Sequence, residues 1–133
     1  MIAKDRAVLK TYLRRAANSM ELRDWTFEVK WETADENTAA HVATTYGQHQ
    51  ATVSFCDDFR DMDPEFQRYV VIHELTHIPS CGILWHIIKT LPDLLGSAAF
   101  SVWEATYRQL DEDATDTLAR ALAPNFPLIP WPK

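Results

Sequence analysis

Cysteine is scarce in this 133-residue chain: only Cys56 and Cys81 occur, with no CxxC spacing. That excludes a disulfide scaffold and a cysteine-built zinc knuckle, and leaves two small buried thiols as the expectation. No stretch approaches the roughly eighteen uninterrupted apolar residues of a membrane-spanning helix. The N-terminus, MIAKDRAVLKTYLRRAANS, mixes charge into its apolar positions and lacks the continuous apolar run of a secretory signal, so a cytoplasmic location is expected. There is no internal repeat and no low-complexity linker, and the length suits a single domain over residues 1–133. Positive charge is in short supply too, and a net charge of -6 argues against general affinity for nucleic acid. The shortage is uneven. Residues 1–23 carry six Lys or Arg against Asp5 and Glu21, a net +4, which leaves -10 on residues 24–133. A basic first helix is thus the one place where phosphate contact is conceivable, although such a face is usually solvated.

What is present reads as α+β. Val8, Leu9, Tyr12, Leu13, Ala16 and Met20 recur at helical steps, and Trp25, Phe27, Val29 and Trp31 alternate with polar residues as a half-buried strand. AAHVATTY and HQATVSF flank Gly47-Gln48 as two neighbouring strands or a hairpin, completing a small, mostly antiparallel sheet of about three strands. Asp63 before Pro64 starts a helix that is exposed at Gln67 and Arg68, becomes apolar on nearly every side from Tyr69, and stops at Pro79. ILWHIIKTL predicts a short helix closed by Pro92. A long helix follows to Pro124, with Trp103, Tyr107, Leu110, Ala114, Leu118 and Leu122 as its core stripe. The tail over 124–133, with four prolines, is expected to run extended over the surface.

The buried helix spells HELTH at 73–77. Residues i and i+4 share a helix face, so His73 and His77 can offer two imidazole nitrogens to one ion, while Glu74, about 100° around, can reach a water beside it. Chance produces the spelling in a chain of this composition on the order of once in a hundred, so it is informative without being proof. Two histidines in an apolar helix also need partners for their nitrogens, which a metal supplies together. The third ligand is open between Glu112, Glu104 and His86. Glu112 is favoured because Asp116, four residues on, could accept the free N–H of a ligand histidine, and because Ala119 and Ala123 on the same stripe let another helix come close. Arg108, four before Glu112, could instead hold it as an ion pair.

HELTH with EDATD resembles the HExxH zincins called gluzincins, in which a Glu on a later helix completes the site. More narrowly, EDATDTLARALAP resembles the E-x-E-A-N-x-F-A-x-x-L-L-x-P segment of small ImmA/IrrE-type metallopeptidases of bacteria, phages and mobile elements, with Asp116 in place of the Asn and Thr117 in place of the aromatic residue. SprT-like proteases are also similar, but their third ligand is a His at longer spacing than His86 provides. The resemblance implies a minimal zincin fold and a zinc-dependent peptidase with one Zn2+ per chain, held by His73, His77 and Glu112. Glu74 would activate the zinc-bound water, and Asp116 would support a ligand. It implies an extended protein or peptide substrate pairing with ATVSF or AAHVATTY beside the motif helix, with Tyr46, His49, His86 and Tyr107 as candidates to stabilise the oxyanion. The alternative is a zincin-derived regulatory or interaction module that keeps the metal and does not cleave.

Overall fold

The computed structural model describes residues 3–32, 37–45 and 47–133. Among these residues the chain forms four α-helices and a three-stranded mixed sheet, an α+β arrangement. Helix α1 (Ala3–Ser19) buries Leu9, Tyr12, Leu13 and Ala16 of the expected stripe, with Ala17 beside them, while Val8 and Met20 are half-buried. Asp5 is buried on the same helix, where its carboxylate accepts hydrogen bonds from Arg60 Nη1 at 2.7 and 2.8 Å.

The sheet has the order β1 (Thr26–Lys30), β3 (Gln50–Phe55), β2 (Ala40–Thr44). The β2–β3 pair is the antiparallel hairpin expected around Gly47, whose φ of 72° is the left-handed turn conformation glycine adopts freely. The expectation of a mostly antiparallel sheet fails at β1, which runs parallel to β3 with Thr26 opposite Gln50 and Lys30 opposite Ser54. The cause is strand direction: β1 and β2 run opposite ways on either side of β3, so β3, antiparallel to β2 through the hairpin, lies parallel to β1. Phe27, Val29, Ala51, Val53 and Phe55 fill the face covered by helices.

The two outer edges are treated differently. At the entry to β1, the Arg14 guanidinium donates to the carbonyls of Arg23 (2.8 Å) and Trp25 and lies over the Phe27 ring. On β2, Ala39 and Thr45 bond across to β3, and the alternation of an antiparallel ladder then turns the main-chain groups of Ala40, Val42 and Thr44 off the sheet.

Helix α2 (Pro64–Thr76) starts as expected, with the Asp63 carboxylate accepting the Phe66 N–H at 3.0 Å, and every residue from Val70 to Leu75 is buried. Gln67, expected to be exposed, is 1% exposed: its amide nitrogen faces the carbonyls of Phe59, Arg60 and Met62, and its oxygen accepts the Trp131 indole N–H at 2.8 Å. Pro79 does not stop this helix. The break falls at His77, and Pro79 sits in the first turn of α3 (Ile78–Leu95), where a missing N–H costs nothing. Pro92 does not close α3 either. It lies inside the last turn, and Gly96 (φ 82°) ends the helix.

Helix α4 (Ser97–Leu122) overturns the expected core stripe. It packs on α2 through Thr115 and Ala119, with Ala123 just beyond, while Leu110 and Leu118 stand 63% and 52% exposed. Small side chains let the two helix backbones approach closely, and that contact outweighs the larger area of the leucine face. The tail runs extended from Phe126, yet it is anchored: Ile129 is buried, and the carbonyls of Phe126, Pro127 and Pro132 accept from Arg68, Tyr12 and Arg60. Prolines bring no N–H, so only carbonyls need partners there. Among the described residues no helix is long and apolar enough to cross a membrane.

Candidate metal centre

His73 lies in the buried run of α2, and His77 is the joint between α2 and α3. One helical turn apart, their Nε2 atoms meet at 3.2 Å. Glu112 enters from α4, with Oε1 2.9 Å from His73 Nε2 and Oε2 3.2 Å from His77 Nε2. Two imidazole nitrogens and the two oxygens of one carboxylate thus meet at 2.9 to 3.2 Å, near the spacing of ligand atoms about a tetrahedral ion with bonds of about 2.1 Å. Arg108 does not compete for Glu112, because its guanidinium bonds Glu104 at 2.8 Å. That pair also keeps Glu104 out of the cluster.

The opposite ring nitrogens decide the protonation. Tyr69 donates its hydroxyl hydrogen to Asp116, which Arg120 holds at 3.0 Å, and the Tyr69 oxygen lies 3.3 Å from His73 Nδ1. Burial and the hydrogen bond to Asp116 push the Tyr69 hydroxyl up to about 12, so it keeps its proton, and its lone pair faces His73 Nδ1–H. Asp116, expected to meet the histidine directly, is 3.9 Å from it and acts through Tyr69. His77 Nδ1 has Thr115 Oγ1 at 3.4 Å and Asp111 Oδ2 at 3.6 Å, and Asp111 is itself 3.2 Å from Ser80 Oγ. Burial lowers the His77 pKa against the opposing pull of Glu112. Protons assigned to both Nδ1 atoms face these oxygens and leave the two Nε2 lone pairs to converge with a carboxylate. Three electron-rich donors in that arrangement fit a cation.

Glu74 is 8% exposed, and one of its oxygens falls within 4.8 Å of the histidine nitrogens. Its distance and its bond from the Val42 N–H set it apart from the tighter cluster. Burial pushes its carboxyl up to about 8, with the Val42 bond opposing and Glu112 adding to the rise. In metal-stripped protein this raised value stabilises the fold fully only below the unfolded carboxyl's value near 4.5, and the contribution is lost as pH rises through about 8. Urea unfolding in chelator should therefore show Glu74→Gln gaining on the wild type between pH 5 and 8.5, by on the order of 4 kcal/mol. Parallel pH profiles for the two proteins would count against a buried neutral Glu74.

A cleft of about 740 Å³ opens beside the cluster, bounded by β2 on one side and by α3 and α4 on the other. Cys81, expected to be buried, is half exposed in its wall; Cys56 is buried in the core. Several candidates are not brought to the cleft. His86 is exposed on α3, and His49 pairs with Asp24 and stacks on Trp25 beyond the far strand. Tyr107 stacks on Trp103, away from the cleft lining. Tyr46 lies outside the described residues. The residues that sequence reasoning missed are Tyr69, Asp111, Thr115 and Arg120. Tyr69 stands four before His73, and Asp111 and Thr115 repeat the spacing of Glu112 and Asp116, which is the signal that was available. A second cleft of about 610 Å³, between α1 and the tail, has Arg15 as its one charged wall residue and no such cluster.

Comparison with protein-family models, curated proteins and solved structures finds no match for this chain.

Proposed function

We propose that the protein is a zinc-dependent peptidase of the HExxH kind, a minimal zincin in which His73, His77 and Glu112 hold one Zn2+. The observation that carries this reading is the 2.9 to 3.2 Å convergence of two imidazoles and a carboxylate beside an open cleft. Zinc bound there supplies a Lewis acid strong enough to bring the pKa of water to about 7. Glu74, fixed by the Val42 N–H, takes a proton from water in the cleft and returns it to the leaving amine. Glu74 would be drawn back toward the ionised form, as a base requires, by a cation held on His73, His77 and Glu112.

The substrate is a protein or peptide in extended form, paired to the outward main-chain groups of Ala40 and Thr44 and to the Val42 carbonyl, the Val42 N–H being held by Glu74. ATVSF, the other strand considered for this role, is β3 and is already paired on both sides. Leu84, Trp85 and Ile88 give the facing wall an apolar surface for substrate side chains. The open cleft supports hydrolysis over a closed, purely structural metal site. Metal analysis of the purified protein is expected to find about one equivalent of zinc per chain, falling to background in His73→Ala. A protein that takes up no divalent metal sinks the reading, and one that binds zinc but cleaves no unfolded polypeptide is the interaction module instead.

A further inference from the structure

The cleft beside the histidines is not equally open at its two ends. At the C-terminal end of β2 the indole N–H of Trp85, on α3, donates to Thr44 Oγ1 at 3.2 Å, so side chains from opposite walls meet there. At the other end the lining runs on past Ala40 to Thr38. Val42, whose N–H holds Glu74, stands two residues before Thr44 on the strand. A chain paired to this edge with its reacting bond beside Glu74 therefore has about 7 Å, the rise of two residues, before the bridge stops it.

The closed end also carries a cation. Among the described residues that line the cleft, Arg108 is the one lysine or arginine. It precedes Glu112 by one turn of α4, about 6 Å along the axis. Helices α3 and α4 are joined at Gly96 and touch at Ser80 and Asp111, so they run antiparallel, and that turn leads from the histidines toward the level of Trp85. The Arg108 side chain is 54% exposed, and its ion pair with Glu104, one turn away, is of the exposed kind that is worth little and yields to a competing carboxylate. The carboxylates of the lining are engaged: Glu74 with Val42, Glu112 with both histidines, Asp111 with Ser80 and His77. A terminal ammonium thus finds no free acceptor at the closed end. A terminal carboxylate finds a guanidinium able to bind both of its oxygens.

We infer that the protein trims polypeptides from the C-terminus, taking the terminal carboxylate on Arg108 and releasing the last one or two residues. This rests on the peptidase reading above and narrows its substrate. The oxygen of water bonds to the carbonyl carbon beside Glu74 and the C–N bond breaks. The amino acid or dipeptide leaves with the proton on its amine, and the shortened chain ends in a new carboxylate.

Short unstructured peptides, identical except for a C-terminal carboxylate or amide, test it with mass spectrometry of the products. The acid is expected to lose residues stepwise from its C-terminus, with kcat/KM at least about tenfold above that of the amide. Arg108→Gln should keep its zinc and erase the difference by raising KM for the acid, with kcat nearly unchanged. Trp85→Ala should admit cleavage further from the C-terminus, and Thr44→Val, which only loosens the bridge, a smaller share of it. Calorimetric titration of both peptides into the Glu74→Gln protein reads recognition without turnover, and the acid should bind at least about tenfold more tightly. Cleavage of acid and amide at equal rates, or at internal bonds first, overturns the inference and leaves the peptidase reading standing. Cleavage of neither ends the peptidase reading; tighter binding of the acid would then keep the C-terminal recognition, and equal binding would end that too.

Discussion

Glu74→Gln is expected to retain zinc and lose hydrolysis of unfolded polypeptide by a factor on the order of 10² to 10⁴, the usual contribution of a positioned acid–base group. The substitution tests chemistry with little change of shape. The Gln side-chain oxygen can still accept the Val42 N–H, and the cluster of His73, His77 and Glu112 is untouched. What disappears is the capacity to hold a proton between water and leaving group. Metal content and cleavage rate must be measured on the same preparation. Loss of zinc would place Glu74 among the ligands, and undiminished cleavage would remove it from the mechanism.

The second large effect is expected from the tail. Ending the chain after Asn125 removes Ile129, worth about 2 kcal/mol of burial. It also strips the Trp131 donor from the buried Gln67 oxygen, a loss of about 1–3 kcal/mol. Contacts of Trp131 with Phe59 and Arg60 go as well. The sum, about 4 kcal/mol or more, is a large share of the total stability of a small domain and should lower Tm by roughly 10–15 °C. Trp131→Ala in the full chain should reproduce a substantial part of the drop. A truncated protein that melts with the intact one would mean that the tail merely rests on the surface.

The parts legible in the sequence were those written locally. Alternation from Trp25 to Trp31 marks the inward face of β1, Asp63-Pro64 marks the start of α2, and the spacing within HELTH puts two imidazoles on one side of a helix. Glu112 and Asp116 could be singled out because four residues on a helix is again a local measure. What escaped depended on contacts between distant segments. Tyr69 matters only because α4 brings Asp116 to it from 47 residues away. Gln67 reads as a surface residue until the turn at Phe59–Asp61 and the tail at Trp131 close around it. The α4 leucines have the period of a core, but the helix is buried on its small-residue side, since periodicity identifies an apolar face without saying what will cover it.

Arg14 has a consequence for which chains the protein can accept. An unpaired strand edge is a template for any extended polypeptide, and a small sheet open at both ends invites two such encounters. By occupying the carbonyls of Arg23 and Trp25, Arg14 bars the approach to β1 at its start and leaves β2 as the inviting edge. A wandering polypeptide that finds a place to pair on this sheet is thereby led to the edge overlooked by Glu74, so that the most adhesive place on the sheet lies beside the two histidines.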